Sequence, residues 1–485
     1  MVDASRLNHR NGHAFSPGMP ERRLLLALLD LLAVNGALVI VARLRLRGLG
    51  TWESLWRHPL WFIILTGLWW FSSQAMDAYN LRTASQRSSS VHCAVRAAML
   101  TSVAYLLVPY LSPPLLVSRL TASFFVSVTM VLLALARSAY SLVSTQAVFR
   151  RRALLIGAGW SGRAMLQALG EHGAGTYQVI GSVDDDPSRL GAAVPEREVD
   201  AAEAQAPVRV LGDRHALADL IAQHQISTLI LAITHEIDAE LLQILIDCLE
   251  QGVEIVPMPV LYEELTGRVP VEHVGENWYV AMPINHPGTA ALWPALKRAV
   301  DVLLASAGLI LLGAVLPFLV VAIYLDSPGP IFYTQERVGK GGRVFRVLKF
   351  RSMTVDAEKS EAVWAREDDP RVTRVGRLLR KTHADEFPQF WNILKGDMGA
   401  VGPRPERPEF VRDLVREIPF YRARHAVKPG MAGWALVKQG YGASKEDALI
   451  KLQYDLYYIK HQSVGLDMAI LLRTVADMLS FRGRA

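Results

Sequence analysis

Cysteine is nearly absent from this chain of 485 residues, which contains only Cys93 and Cys248. Neither stands at a spacing typical of metal ligands, which argues against both a disulfide framework and a structural zinc site. The chain also begins without a cleavable signal pattern, and its first residues are polar. We therefore expect residues 1–22 to form a disordered N-terminus.

Charge and hydropathy both point to a membrane protein. The net charge is +6, apolar residues make up 51% of the chain and the mean hydropathy is +0.20. Basic residues cluster beside apolar segments and no nucleic-acid motif is present, so the basic excess favours membrane lipids over nucleic acid as partners. At this length, two or three domains are expected.

Four apolar segments near the start each approach the ~20 residues that cross a bilayer. They predict a four-helix transmembrane bundle within residues 23–145, with helices at 24–42, 59–76, 93–111 and 120–136. Asp30, Asn35 and Arg96 are polar intrusions that we expect to face partner helices or an interface. Arginines flank the bundle unevenly, and the positive-inside pattern places both of its ends in the cytoplasm.

Residues 150–270 change to alternating apolar strands and amphipathic helices, which predicts an α/β Rossmann-like domain with a doubly wound parallel sheet. A strand runs into a GxGxxG loop formed by Gly157, Gly159 and Gly162, and Asp184 follows the next apolar strand. This is a dinucleotide fingerprint in its expected context. The glycines either bind a nucleotide or merely permit the tight turn. No Tyr-x-x-x-Lys pair or dehydrogenase histidine accompanies them, so no NAD redox role is expected.

A linker is predicted at residues 271–290 and a third domain at residues 291–485. This domain opens with 27 mostly apolar residues, 299–325, which contain Pro317. Proline removes a backbone hydrogen bond, so a helix in lipid needs local compensation there. A β-hairpin is predicted next, and we expect most of the basic residues around it to face phospholipid or solvent: Arg337, Lys340, Arg343, Arg346, Lys349 and Arg351.

Two adjacent carboxylates, Asp385 and Glu386, stand at the start of a predicted helix over residues 386–395, with Asp385 as its N-cap and Gly396 as its C-cap. The positive end of a helix keeps a carboxylate ionised and attracts phosphate. Basic residues also surround the pair: Arg380, Lys381, Lys395 and Arg404. An ionised Asp at an anion site can be a nucleophile or a Mg²⁺ ligand. The same residues equally allow that Asp385 only caps the helix and that Glu386 only complements its dipole.

The sequence around this pair reads DEFPQFWNILKGDM, followed by VGPRP. Further motifs lie on both sides of it: DSPGP from Asp326, QERVG from Gln335, KFRSM from Lys349, RVTRVG from Arg371, KPG from Lys428 and DLYYI from Asp455. Together they resemble the bacterial polyprenyl-phosphate phosphoglycosyl transferases, the sugar transferases that start cell-surface glycan synthesis. The resemblance covers about residues 296–481. The preceding part resembles the large members of that family, which carry membrane helices and a Rossmann-like domain.

The resemblance implies an inner-membrane enzyme that moves a sugar 1-phosphate from a UDP-sugar to undecaprenyl phosphate and releases UMP, which would initiate exopolysaccharide or other surface glycan synthesis. Its catalytic domain would face the cytoplasm. By the same resemblance, Asp385 is the nucleophile that forms an aspartyl-phosphosugar, and Glu386 helps with Mg²⁺ or proton handling. Two phosphate-binding residues and two supporting residues are also implied: Arg380 and Arg404, then Gln389 and Asp397.

The third domain is accordingly expected to be an α+β catalytic domain with a re-entrant membrane helix. Length alone favours a crossing, since 27 residues at ~1.5 Å each give ~40 Å. Basic residues on both sides of the segment favour a return to the cytoplasmic face. Pro317 stands where the family has a helix-breaking proline and would supply the bend. A fragment starting near Ala290 is expected to retain transferase activity.

Two other functions remain open. Membrane helices followed by a GxGxxG domain also describe a channel or sensor with a ligand-binding domain, although no TVGYG-like filter is present. A membrane-anchored NAD-dependent sugar-nucleotide enzyme would need catalytic residues that the Rossmann-like domain lacks. The residues after Gly433 depart from those of many glucose- and galactose-specific members, so the sugar stays open. The oligomeric state stays open too, with a homodimer as one alternative.

Overall fold

The computed structural model describes residues 19–45, 52–107, 112–113, 115, 118–144, 150–173, 176–194, 207–233, 237–273, 292–355, 369–418, 420–440 and 444–479. The chain divides into two compact units, Met1–Leu261 and Tyr262–Ala485. Several predictions concern residues outside the described ones: the disordered N-terminus up to residue 18, the linker from residue 274 and part of the segment after Gly433, at 441–443. Each unit is described by itself below.

The first unit opens with six described helices, the four predicted from its apolar segments and two short ones between them. In chain order they are α1 (Met19–Arg45), α2 (Trp52–Arg57), α3 (Pro59–Ala75), α4 (Leu81–Ser85), α5 (Arg87–Leu107) and α6 (Arg119–Ser144). Three of them, α1, α5 and α6, are long and apolar enough to cross a membrane. Helix α3 spans 17 residues, or ~25 Å, which is shorter than the ~30 Å hydrocarbon core. The prediction of a membrane protein with several domains is confirmed.

Polar side chains inside the bundle pair with one another, as expected of Asp30 and Asn35. Asp30 accepts hydrogen bonds from Arg137 of α6 at 2.5 and 2.9 Å, and neither side chain reaches solvent. Arg137 also donates to the carbonyl oxygen of Ala78, at 2.7 Å. Asn35 donates to Thr66 at 3.1 Å. The sequence reading missed Arg137 because it ended the fourth membrane helix at residue 136.

A parallel five-stranded sheet completes the first unit and confirms the Rossmann-like prediction. Its strands are β1 (Arg151–Ile156), β2 (Tyr177–Val183), β3 (Val210–Gly212), β4 (Thr228–Leu231) and β5 (Glu254–Pro257). Their spatial order is β3-β2-β1-β4-β5, and all pairs are parallel. This is the strand order of a doubly wound nucleotide-binding sheet. Helices follow its strands: α7 (Trp160–His172), α8 (Leu217–His224), α9 (Ala239–Glu250) and α10 (Met258–Thr266).

The second unit is mostly helical and carries two small sheets. Its helices are α11 (Leu292–Asp326), α12 (Arg374–Lys381), α13 (Gln389–Lys395), α14 (Pro408–Glu417), α15 (Trp434–Gln439), α16 (Lys445–Lys460) and α17 (Val464–Leu479). The predicted hairpin is confirmed as antiparallel strands β6 (Phe332–Val338) and β7 (Val344–Phe350). Strands β8 (Gly399–Val401) and β9 (Gly430–Ala432) form a parallel pair. Leu452, Leu456 and Ile459 of α16 lie in the core of this unit.

Helix α11 continues without interruption through Pro317. It is also long and apolar enough to cross a membrane. Its inner face packs closely on α13, since a Cβ atom at Gly308 would lie 2.6 Å from the Phe390 ring. The other face is apolar and exposed, with Ile310 and Phe318 both 75% accessible. The re-entrant course of this helix stays a prediction.

The second unit also incorporates residues that precede its family-like segment. Val269 and Val271 belong to its hydrophobic core, and Val269 has no exposed surface. The backbone N–H of Val269 donates to the carbonyl oxygen of Gln453 at 3.1 Å. Buried Glu263 accepts hydrogen bonds from Lys460 at 2.8 Å and pairs with a neighbouring histidine. A fragment starting near Ala290 would therefore lack part of this core. Its transferase activity stays a prediction.

Candidate active site

Asp385 and Glu386 lie in a 3₁₀ turn, Ala384–Glu386, between α12 and α13. The predicted helix start was wrong, because α13 begins at Gln389 and Asp385 does not cap it. Pro388 has no N–H to donate to the carbonyl oxygen four residues earlier. This stretch instead makes 3₁₀-type hydrogen bonds between residues three apart, such as that from Phe387 N–H to the Ala384 carbonyl oxygen, at 3.2 Å. Gly396 ends the helix as predicted, with φ at 99°.

Glu386 is an anion clamped between two cations. Its Oε1 atom accepts from Lys349 Nζ and from Arg404 Nη2, each at 2.7 Å, and its Oε2 atom lies 3.3 Å from Arg404 Nη1. Burial alone would raise the pKa of Glu386, but the charges of Arg404 and Lys349 hold this pKa well below its usual range. Glu386 is therefore ionised throughout the neutral pH range.

Asp385 is buried beside this clamp and is held differently. Among the described residues, no donor hydrogen-bonds its carboxylate. Burial, and then the negative charge of Glu386, raise the pKa of Asp385 to about 6, although Lys349, Arg380 and Arg404 act in the opposite direction. At neutral pH this gives a mostly ionised carboxylate without hydrogen bonds, and such a group is a suitable nucleophile.

Arg380 stands one turn before the pair, at the end of α12. Its Nε atom donates to the hydroxyl of Ser352 at 3.0 Å, which orients the guanidinium. Helix α12 packs closely against the backbone of Ser352, since a Cβ atom at Gly376 would lie 2.0 Å from the carbonyl oxygen of Ser352. A glycine is thus required at 376 for Arg380 to reach this position.

The two residues predicted to support the site are placed apart from each other. Gln389 is buried at the start of α13 and lines a small pocket together with Arg337, Lys349 and Arg404. Asp397 lies beyond the other end of α13, 3.2 Å from Lys395. A helix of seven residues, or ~10 Å, separates the two positions. The structure therefore brings Gln389 to the carboxylate pair and not Asp397.

The expectation for the hairpin's basic residues was wrong for half of them. Lys349 binds Glu386, while Arg337 and Arg351 are largely buried. The register pairs Arg337 with Phe345, and Phe345 and Val347 contact the core of the unit. Paired residues and alternate residues of a hairpin share one face. This alternation was the available signal that Arg337 and Lys349 point inward.

The Rossmann-like loop belongs to the first unit. Gly157 has φ at 101°, and a Cβ atom at Gly162 would lie 2.2 Å from the Gly157 carbonyl oxygen, so both positions need glycine for the turn itself. Asp184 accepts from the N–H of Ala158 at 2.7 Å and from Arg189 at 3.0 Å. The Arg189 guanidinium lies 3.6 Å from a Cβ position at Gly159. A ribose or phosphate would have to displace these contacts, and nucleotide binding by these residues stays a prediction.

Two family models match the chain. Residues 292–481 match the model described as bacterial sugar transferase, and residues 74–259 match the model described as a CoA-binding domain. The first match contains the carboxylate pair and all the cations around it. The second covers most of the parallel sheet and the helices around it.

Three curated relatives are similar to the transferase part. An Aeromonas hydrophila UDP-N-acetylgalactosamine-undecaprenyl-phosphate N-acetylgalactosaminephosphotransferase is 45% identical over 218 residues, which are 45% of this chain and 50% of the relative. An Escherichia coli (strain K12) UDP-glucose:undecaprenyl-phosphate glucose-1-phosphate transferase is 39% identical over 41% of this chain and 43% of its own length. The exopolysaccharide production protein PSS of Rhizobium leguminosarum bv. phaseoli is 39% identical over 39% of this chain and 97% of its own length. The chain thus matches about half the length of the first two relatives and nearly all of the third.

Proposed function

The chain belongs to the bacterial sugar transferase family, and from this premise we propose that it transfers a sugar 1-phosphate from a UDP-sugar to undecaprenyl phosphate and releases UMP. The observation that carries the proposal is the contrast within the carboxylate pair. Glu386 is fixed between Lys349 and Arg404, whereas Asp385 is buried, ionisable and accepts no hydrogen bond among the described residues. One carboxylate thus fixes the cations and its neighbour is left to react.

The transfer takes place in two displacements at one phosphorus atom. In the first, an Asp385 oxygen attacks the sugar-bearing phosphorus, the bond between the two phosphates breaks, and UMP leaves with the bridging oxygen. In the second, an oxygen of undecaprenyl phosphate attacks the same phosphorus and displaces the Asp385 carboxylate. The product is an undecaprenyl diphosphosugar. Charge builds up on the phosphate oxygens in both steps, so prepositioned cations lower both barriers.

The cations around the pair suit that task. Arg404 and Lys349 approach Glu386 from two different elements, and Arg380 approaches from α12. A diphosphate entering beside Asp385 can share these donors with Glu386. Arginine binds phosphate through two parallel N–H bonds, which orients the leaving group as well as neutralising it.

We propose Mg²⁺ as the cofactor, held by Asp385 and Glu386 together with phosphate oxygens of the substrate. Within the described residues no group of three or more His, Cys, Asp or Glu is placed to hold a metal. Two carboxylates fit Mg²⁺ all the same, because this ion is commonly bound by one or two carboxylates plus substrate phosphates. The Oε2 atom of Glu386 has only a long contact, 3.3 Å, and so retains a lone pair for it. When bound, Mg²⁺ would neutralise the charge of the diphosphate.

The same proposal places the enzyme in the bacterial inner membrane with its catalytic unit on the cytoplasmic face, where UDP-sugars are found. Both ends of α11 contact that unit. Arg298, near the start, donates to two carbonyl oxygens at the end of α13, each at 2.6 Å. At the other end, Asp326 accepts from the N–H of Val375 at 2.8 Å. A helix that crossed the bilayer would have its ends on opposite sides, so these contacts support the re-entrant course.

Thiol labelling tests the course of α11. The exposed positions Ala295 and Lys340 lie on either side of the apolar stretch 299–325 of this helix. Each would be changed to cysteine separately, in a protein that lacks Cys93 and Cys248. We expect a membrane-impermeant reagent to label neither site in intact spheroplasts and both sites in inverted vesicles. Labelling of just one site from each side would show that the helix crosses the membrane.

The decisive assay for the function is UMP release by the full-length protein in nanodiscs, with and without undecaprenyl phosphate. The named relatives include enzymes for N-acetylgalactosamine and for glucose, so the assay needs a panel of UDP-sugars. We expect sustained UMP release only when the acceptor and Mg²⁺ are present. Ion flux or pyridine-nucleotide turnover without UMP release would instead favour the channel or the NAD-dependent enzyme. Light scattering of the same preparation measures whether the protein is a homodimer.

A further inference from the structure

Arg404 lies in a stretch without regular secondary structure, residues 402–407. Three successive carbonyl oxygens of this stretch nevertheless accept hydrogen bonds from other parts of the unit. The carbonyl oxygen of Arg404 itself accepts from Arg424 Nη2 at 3.0 Å. The carbonyl oxygen of Pro405 accepts from Arg337 at 3.1 Å, and that of Glu406 accepts from a backbone N–H of β6 at 2.9 Å. Three donors from two other elements, β6 and the 3₁₀ helix that contains Arg424, thus replace the ladder that a strand would provide.

The donor on Arg404 is a buried arginine with a buried acidic partner. Arg424 is 5% exposed and lies in a 3₁₀ helix, Tyr421–Ala426. Its Nη2 atom donates to the Arg404 carbonyl oxygen and also to Asp455 Oδ2, at 2.8 Å. Asp455 is 1% exposed and lies in the middle of α16. One guanidinium nitrogen therefore ties the backbone of Arg404 to α16, whose residues lie in the core of the unit.

We propose that Arg424 and Asp455 are positioning residues for the transfer step, because they fix the backbone of Arg404 so that its guanidinium stays on Glu386 beside Asp385. This assignment rests on the proposed function for its chemical meaning. A buried ion pair by itself is poor evidence for stabilisation, since apolar side chains of similar size often stabilise a core as well or better. The pair has a role in the site because Arg424 donates to the carbonyl oxygen of Arg404, the residue that binds Glu386.

The proposal predicts that the pair of Arg424 and Asp455 acts through Arg404. If the backbone of Arg404 shifts, its guanidinium leaves Glu386, and the variants lose part of what removal of that guanidinium would lose. In an Arg404→Ala background, a further change at Arg424 or Asp455 should therefore cost little more, because the group that the pair positions is already gone. A merely structural role would instead add its own loss to that of Arg404→Ala.

The test uses the full-length protein in nanodiscs with three variants. Asp455→Asn removes the charge that holds Arg424, and Arg424→Lys keeps a cation that cannot hold two acceptors with one planar group. The double variant Arg424→Met with Asp455→Leu leaves no buried charge unpaired, so it keeps the fold even where a single change does not. We expect all three to lower kcat for UMP release by roughly tenfold or more. This loss should be smaller than the loss caused by removing a charge-stabilising residue outright, because Arg404 is displaced and not deleted.

A matched control separates this effect from general loosening. Glu263→Gln changes another buried carboxylate that pairs with α16, through Lys460, and lies outside the site. We expect it to lower the melting temperature without the tenfold loss of kcat. Calorimetric binding of UDP provides a second readout that does not depend on turnover.

The outcomes are distinct. A UDP affinity that falls in the three variants and not in Glu263→Gln, and that falls little further when Arg404→Ala is added, supports the positioning role, even if the wild-type protein releases no UMP and the proposed function fails. A folded double variant with wild-type kcat overturns the role. Losses that simply add to the loss of Arg404→Ala overturn it as well.

Discussion

Replacing Asp385 by asparagine is expected to abolish transfer and yet stabilise the folded protein at neutral pH. The loss of activity follows because the amide cannot attack phosphorus or leave again from it. The gain in stability follows because the carboxylate is buried beside Glu386, which raises its pKa to about 6. Ionising Asp385 therefore costs more free energy in the folded state than in the unfolded chain.

The magnitude follows from the shift. Between the ordinary value of 3.8 and about 6, the ionised form loses on the order of 3 kcal/mol relative to the unfolded chain at pH 7. Below pH 3.8 both states are protonated and this cost vanishes. The stability difference between Asp385→Asn and wild type should therefore grow as pH rises from about 4 to about 6 and then level off.

Melting temperatures from pH 4 to pH 8 in detergent check this, with UMP release followed in parallel. A variant with the opposite expected effect on stability serves as the control. Asp369 accepts hydrogen bonds from Arg371, which lower its pKa to about 2, so it stabilises the fold above pH 3.8. We expect Asp369→Asn to melt lower than wild type at pH 7. The reasoning on Asp385 is refuted if its asparagine variant melts lower at pH 7 than wild type, or if substantial UMP release persists.

Three further results are expected. Lys349→Met should slow UMP release by ~10²-fold or more, because Glu386 and the diphosphate lose a buried cation; an unchanged rate would return this lysine to the solvated residues. A fragment starting at Met258 should be folded and active, whereas one starting at Ala290 should melt lower in the same scan because it lacks two core valines worth roughly 1.5–3 kcal/mol each. Arg137→Met should destabilise the membrane bundle by about 3–5 kcal/mol in denaturant, since Asp30 is left buried and unpaired, and adding Asp30→Leu should recover most of it.

The parts predicted well are those in which one local pattern dictates the structure. Strands of a parallel sheet are buried on both faces and read as apolar runs, so β1 was predicted directly before the glycine loop and β2 directly before Asp184, where the structure has them. Apolar segments near bilayer length likewise gave the long helices of the bundle. The hairpin was found from its glycine-rich turn, in which Gly341 and Gly342 adopt positive φ.

The carboxylate pair was found for a reason that was only partly physical. The residue pattern predicted a helix N-terminus at the pair. The structure instead has the pair in a 3₁₀ turn that ends two residues before the start of α13. The dipole of a seven-residue helix therefore does not explain the charge state of Asp385 and Glu386. The side chains of Lys349 and Arg404, neither of which is adjacent to the pair in the chain, lower the pKa of Glu386. Burial and the charge of Glu386 raise the pKa of Asp385. Family resemblance singled out the same two residues, whose catalytic role stays a prediction, although the predicted helix start was wrong.

Contacts between distant segments are what the sequence could not supply. Val269 and Val271 give no signal of their own, because a short apolar pair before a linker looks the same whether it is packed or free. The same holds for Tyr458. It is 1% exposed and donates to Asp467 at 2.8 Å. Only the packing of α16 and α17 around these residues decides their environment.

A shared device explains why so many basic residues of the second unit turned out to be internal. Four arginines donate to backbone carbonyl oxygens in irregular stretches or at helix ends: Arg298 to Ile393 and Leu394, Arg337 to Pro405, Arg351 to Ser327 and Arg424 to Arg404. A unit with two-stranded sheets and short 3₁₀ turns has many carbonyl groups without a ladder partner, and leaving such groups unpaired in a core is costly. A guanidinium satisfies them and adds positive charge to the frame. The same residues that hold the loops in place thus create a positive surrounding for phosphate, so part of the basic excess read as attraction to lipid belongs to the architecture of the site.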